Sequence, residues 1–283
     1  METRDQSSLE DATAAEDPPS VDDPSEHRPN FRLAGPLFLA TALSMFLAGG
    51  LYDGKSGESL LTLLPRGWRF AVPLLLILLF HEFGHYVAAR IHKVAVSLPY
   101  FIPVPFLTPF GTMGALIAMP DRIRSRNALF DIGAAGPLAG LLVTVPVLVI
   151  GLSSSPVSVS ELPYTLEGQS IFYWLMKRLV LGPIPDGSDV TMNQTAFAGW
   201  AGLFVTAINL IPVGQLDGGH IAYSLFGPRQ DRYANVIHYG LLLVFGYNLV
   251  KFVVPAILHG TSLGTAISNS TFYVVWFFIL LFL

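Results

Sequence analysis

Five stretches of this chain, at about residues 33–51, 68–90, 128–152, 196–226 and 235–258, are apolar over the roughly 20 residues that a helix needs to cross a bilayer. Lipid offers a backbone no hydrogen bonds, so such stretches are viable only as helices that satisfy their own N–H and C=O groups. Composition agrees: 52% of the 283 residues are hydrophobic and 13% are charged, against about 25% charged in soluble domains. A last apolar stretch, Thr271 to Leu283, reads as a sixth span cut short, and the fourth stretch is broken internally. The expectation is an all-α polytopic membrane protein of about six transmembrane helices, occupying residues 31–283.

Residues 1–30 form a separate region, predicted to be a disordered acidic tail. Nine acids and one basic residue up to Glu26 account for the net charge of −4, and Pro and Ser replace any apolar periodicity. The tail resembles neither a signal peptide nor an Arg-rich transit peptide. The remainder is slightly basic and has no concentrated cationic face, which argues against nucleic acid as a partner. The lipid bilayer is the partner that composition implies; oligomeric state is not legible. Lys and Arg placement favours an N-terminus on the cytoplasmic side, with ten basic residues on the inner side against five in the outer loops.

Two apolar regions are not spanning helices. Ser97–Pro120 carries prolines at 99, 103, 105 and 109, which an unbroken helix cannot contain. Irregular backbone at membrane depth survives only against protein or water, so the region reads as a membrane-associated β-hairpin between the second and third spans, with a strand near Met113–Met119. The outer-loop sequence SIFYWLMKRLVLG reads either as an amphipathic helix lying on the membrane or as a loop anchored by Tyr173 and Trp174.

The second span contains HEFGH. Placing an ionised group at the centre of a bilayer costs about 2.5–3.5 kcal/mol, so such groups mark function. His81 and His85 stand four residues apart and share a helix face, where two imidazoles can ligate one Zn²⁺ with Glu82 as general base. The chain has no cysteine, so thiolate ligation is excluded. A catalytic zinc keeps three protein ligands and one open position. A third His ten residues after His81 is missing, because Ile91 stands there, and no Glu follows Glu167. Asp131 and Asp217 are the acids left near membrane depth. Asp131 lies near a helix start, where a carboxylate suits the dipole. Asp217 lies in NLIPVGQLDGGH, where Pro212, Gly214, Gly218 and Gly219 break the helix, and broken helices in membranes mark sites. Asp217 is the stronger candidate.

HEFGH together with Asn209, Pro212, Leu216, Asp217 and Gly218 resembles the site-2 protease family of intramembrane zinc metalloproteases, whose signatures are H-E-x-x-H on one helix and N-x-x-P-x-x-x-L-D-G on a later one. FGTMGA at Phe110–Ala115 resembles that family's membrane hairpin, and GAAGPLAG at Gly133–Gly140 its small-residue helix. The resemblance implies one Zn²⁺ held by His81, His85 and Asp217, with Glu82 as base and Asn209 positioning substrate or stabilising the oxyanion. It implies single-span membrane proteins as substrates, cleaved within or near their transmembrane segments in regulated intramembrane proteolysis. The outer loop is too short for the PDZ domain that many bacterial members carry. A bacterial plasma membrane is the expected location because no transit peptide is recognisable, with a plastid membrane left open because the family has plastid members. The rival readings are a membrane zinc-binding or transport protein and a catalytically inert scaffold of the same family. No internal repeat supports transport, and no motif residue is degraded.

Overall fold

The computed structural model describes residues 30–52, 54, 58–119, 123, 125–159 and 168–259. The predicted acidic tail and the predicted last span lie outside these residues. Helix α1 runs from Phe31 to Tyr52, α2 from Leu60 to Arg66 and α3 from Trp68 to Ile91. Strands β1 (Tyr100–Pro103) and β2 (Thr112–Leu116) precede α4 (Arg126–Ser153). Strand β3 (Val157–Val159), helix α5 (Ile171–Leu181) and strand β4 (Ser188–Val190) cover the far end of α4. Helices α6 (Gln194–Asn209), α7 (Asp217–Phe226), α8 (Gln230–Asn248) and α9 (Val254–His259) complete the described chain.

Among the described residues, four helical segments are long and apolar enough to cross a membrane: α1, α3, α4 and the run Asp217–Leu258. The predicted fourth span is divided. Pro212 and Gly214 interrupt it after Asn209, so α6 has 16 residues and falls short of a full crossing by length.

Small residues set how closely the helices pack, as expected where lipid supplies no hydrophobic drive between them. Gly84 of α3 lies against Ala135 of α4. Gly199 of α6 sits against Leu148, and Gly151 of α4 against Ala196. Helices α3, α4 and α6 thus form the centre, α7 lies along α4, and α1 packs outside α3. Met45, Phe70, Leu74, Leu78 and Phe101 fill the cluster that joins α1, α3 and the hairpin. On the opposite flank of α3, Phe80, Phe83, Val87 and Ile91 are exposed, the apolar exterior that a lipid-facing helix requires.

Strands β1 and β2 pair antiparallel, with Phe101 opposite Ala115 and Tyr100 opposite Leu116, and the register shifts before Pro103. Proline has no N–H for a ladder, which accounts for strands of only four and five residues. Helix α5 forms as one of the two sequence readings expects, but Tyr173 is not a surface anchor. It is fully buried with Met176 against Leu148 and Leu152. Lys177, also buried, bonds Asp189 of β4 at 2.9 Å, so the buried face of α5 is packed onto protein.

Candidate metal centre

The buried residues of α3 include Leu74, Ile77, Leu78, His81, Glu82, His85 and Ala89, one face at helical spacing. HEFGH therefore turns its two histidines and Glu82 inward and Phe83 outward. Of these, Glu82 is 6% exposed.

Asp217 arrives from the break between α6 and α7. The N–H of Leu210 closes α6 on the Thr206 carbonyl, and a short loop held by Val213 N–H to Ile211 and Leu216 N–H to Val213 returns the chain. Asp217 opens α7, where a carboxylate favours the positive end of the helix dipole. Gly218 follows because a side chain there would meet the carbonyls of Leu210 and Ile211.

The side chains converge. His81 Nε2 lies 3.1 Å from Asp217 Oδ2, and His85 Nε2 lies 3.2 Å from Asp217 Oδ1. The two Nε2 atoms are 3.2 Å apart. Ligands about 2.05 Å from a tetrahedral centre stand roughly 3.3 Å from one another; the two Nε2 atoms meet that spacing and each lies beside one Asp217 oxygen, a cluster of the size that a small cation needs. Buried Oδ2 of Asp217 has no hydrogen bond in spite of its distance to His81. An oxygen and a nitrogen that face a common point, rather than each other, suit ligation better than pairing. The donor set of two imidazoles and a carboxylate belongs to the chemistry of zinc and its neighbours.

Around the cluster, His85 Nδ1 lies 2.7 Å from the carbonyl oxygen of Ile132 on α4. A proton on Nδ1 donates there and leaves the Nε2 lone pair facing the cluster, the second contact that metal-binding histidines require. Gly136, one turn further along α4, leaves room for the His85 ring, which a Cβ at that position would strike. Gly140 stands opposite His81, with a Cβ there coming 3.3 Å from the histidine's own Cβ and Nδ1. Asn209, the last residue of α6, brings Nδ2 to 3.2 Å from His81 Nε2.

The sequence candidates His81, His85, Asp217 and Asn209 are thus brought together, with Glu82 on the same buried face. Asp131 is not among them. It pairs with His92 at 2.8 Å near the end of α3, a half-exposed contact between two helix ends. The Ile132 carbonyl was not foreseeable, since any residue type offers a backbone oxygen. Gly136 reads in the sequence as part of a GxxxG packing pair, and the space it leaves for an imidazole adds to that role.

A bundle of apolar helices that gathers two imidazoles and a carboxylate around one buried point defines a metal-site protein of the membrane. Residues 69–250 match Peptidase family M50, the site-2 protease family, and the chain belongs to it. Family and apolar helices together make it an integral membrane protein.

Three relatives are similar to it. The rice (Oryza sativa subsp. japonica) protein named "Probable zinc metalloprotease EGY1, chloroplastic" is 39% identical over 163 residues, covering 56% of this chain and 28% of its own length. The Arabidopsis thaliana protein of the same name is 39% identical over 157 residues, covering 53% and 28%. "Probable zinc metalloprotease EGY2, chloroplastic" of Arabidopsis thaliana is 30% identical over 208 residues, covering 70% and 36%. The chain therefore spans about a third or less of the length of these relatives.

Proposed function

We propose that this chain is a zinc metalloendopeptidase that hydrolyses peptide bonds within or near the transmembrane segments of single-span membrane proteins. The observation that carries the reading is the convergence of His81, His85 and Asp217, whose ligand atoms all lie within 4.8 Å of one another, beside buried Glu82 in an apolar bundle. The family and the relatives' names support zinc as the ion.

A zinc ion at such a centre supplies Lewis-acid chemistry, polarising a carbonyl and lowering the pKa of water to about 7. His81, His85 and Asp217 hold it, and the Ile132 carbonyl keeps the His85 ring in the tautomer that can do so. Glu82 accepts a proton from the attacking water, whose oxygen adds to the scissile carbonyl carbon. As the C–N bond breaks, the leaving nitrogen takes up that proton. Asn209 donates an amide hydrogen to the carbonyl oxygen as negative charge gathers there. Burial of Glu82 strengthens each of these electrostatic contacts by excluding water.

A helical substrate hides its peptide bonds in its own hydrogen bonds, so it must unwind locally to be cut. The β1–β2 sheet has two strands, and the outer edge of β2 suits backbone addition by an unwound segment. We place this hairpin at the membrane, between the second and third spans of a bundle of about six. The basic-residue distribution supports a cytoplasmic N-terminus and a site toward the cytoplasmic side. A bacterial plasma membrane is the location first expected from the sequence, and the chloroplastic names of the relatives make the plastid its alternative. Regulated intramembrane proteolysis is the process such an activity serves.

The test is cleavage of a single-span substrate by purified protein in detergent, wild type against Glu82→Gln. Zinc retained and cleavage abolished in the variant is the expected result. Equal cleavage by both proteins overturns the reading.

A further inference from the structure

Hydroxyl side chains buried in membrane helices ordinarily bond back to the carbonyl four residues earlier. Thr144 does so to Gly140 and Thr206 to Gly202, each at 2.8 Å. Ser44 of α1 does not. Its Oγ donates instead to the carbonyl of Gly111, 67 residues away, at 2.6 Å, and the residue is only 5% exposed.

Gly111 is the residue that closes the turn between β1 and β2. Its N–H donates to the Thr108 carbonyl, and its own carbonyl also accepts from the N–H of Val104. One oxygen therefore takes both the bond that folds the hairpin and the bond that ties it to α1. The approach is close enough that a Cβ on Gly111 would lie 2.6 Å from the Ser44 carbonyl oxygen, and its φ of +74° suits glycine in any case. A second tie runs through Phe38 of α1, which meets Phe101 of β1 edge-to-face at 5.3 Å. With α1 packed along β1, the edge of the sheet left for an added strand is that of β2, where Met113 and Leu116 are 61% and 60% exposed.

We propose that Ser44 is a positioning residue for substrate: through Gly111 it fixes the hairpin, so that the outer edge of β2 is presented as a rigid strand for the unwound substrate backbone. Ser44 touches neither the metal cluster nor, on this account, the substrate. Helix α1 lies ahead of residues 69–250, the stretch that matches the family. The inference rests on the reading of the chain as a protease whose hairpin holds substrate.

The experiment uses the full chain with a photo-crosslinking side chain at Met113, and a single-span substrate in detergent. Ser44→Ala and the near-isosteric Ser44→Cys are compared with wild type, and Ser44→Thr serves as the conservative rescue. Removal of the donor is expected to raise KM roughly threefold to tenfold, the worth of one buried hydrogen bond, with kcat and zinc content unchanged. Crosslinking through Met113 falls in parallel, amide exchange over Tyr100–Leu116 speeds up, and Ser44→Thr restores all three. The cysteine variant keeps the shape of the serine side chain, slightly enlarged, with a far weaker donor, and serves if the alanine variant does not fold. Unchanged KM and crosslinking overturn the proposal, as does a fall in kcat at constant KM. Glu82-dependent cleavage without any crosslink through Met113 overturns it too while leaving the protease reading intact. A wild type that neither cleaves nor crosslinks removes both.

Discussion

His85 and Ile132 are joined across two helices by a 2.7 Å contact between an imidazole nitrogen and a backbone carbonyl. This contact sets which nitrogen of His85 faces Asp217, and it places α4 as the wall against which the His81–His85–Asp217 cluster is oriented. Gly136 belongs to the same wall, since it leaves the volume that the ring of His85 occupies. Substituting Gly136 by alanine should displace that ring, and zinc affinity should fall by about 10–100-fold, the usual cost of disturbing a ligand's support. Gly140→Ala, whose Cβ meets His81 only at 3.3 Å, should change affinity far less. Zinc titration against a competing chelator separates the two variants.

Asp217 contributes both oxygens to the cluster, one toward each histidine. Asp217→Asn keeps the shape but removes the charge and offers only one acceptor oxygen, so the purified variant should lose most of its bound zinc. A strong chelator should abolish cleavage by the wild-type protein, and added zinc should restore it. Cleavage that persists in fully metal-free protein, verified by elemental analysis, contradicts the assigned chemistry.

Asn209 stands at the end of α6 with its amide 3.2 Å from His81. If it stabilises charge on the carbonyl oxygen, Asn209→Ala should lower kcat by roughly 10²–10³-fold, the range seen when one such donor is removed. Zinc content should hardly change. A parallel loss of zinc would instead make Asn209 a support for His81, so metal analysis and kinetics on the same preparation decide between the roles.

The hairpin has its own signature. Proline at Ala115, opposite Phe101 in the sheet, removes a backbone N–H and distorts the strand. Substrate cleavage should fall while zinc binding, which depends on α3 and α7, remains at the wild-type level. Turnover unchanged by proline anywhere from Gly111 to Ala118 would exclude the hairpin from substrate handling.

Much of this arrangement is legible along the chain because lipid makes the rules severe. Helices α1, α3 and α4 fall close to the apolar stretches that predict them, since a segment that must satisfy its own backbone in hydrocarbon has little choice. The His81–His85 spacing shares a face in any helix, and the glycines and proline around Asp217 announce a break before any fold is known. The sequence could also exclude: without cysteine, and without a Glu beyond residue 167, few third ligands remained.

Other features depended on three-dimensional contact. Whether the break at Asp217 met α3 or some other helix depended on how closely glycines let α3, α4 and α6 approach. That Asp131 pairs with His92, outside the cluster, followed from the same packing. Tyr173 reads in the sequence as part of a membrane-surface helix or as a loop anchor, and only packing shows it buried against Leu148 and Leu152. The two ties that hold the site and the hairpin, to the carbonyls of Ile132 and Gly111, have no sequence signature. Every residue carries a carbonyl oxygen, and only the packing of one helix on its neighbour selects which one an imidazole or a serine will find.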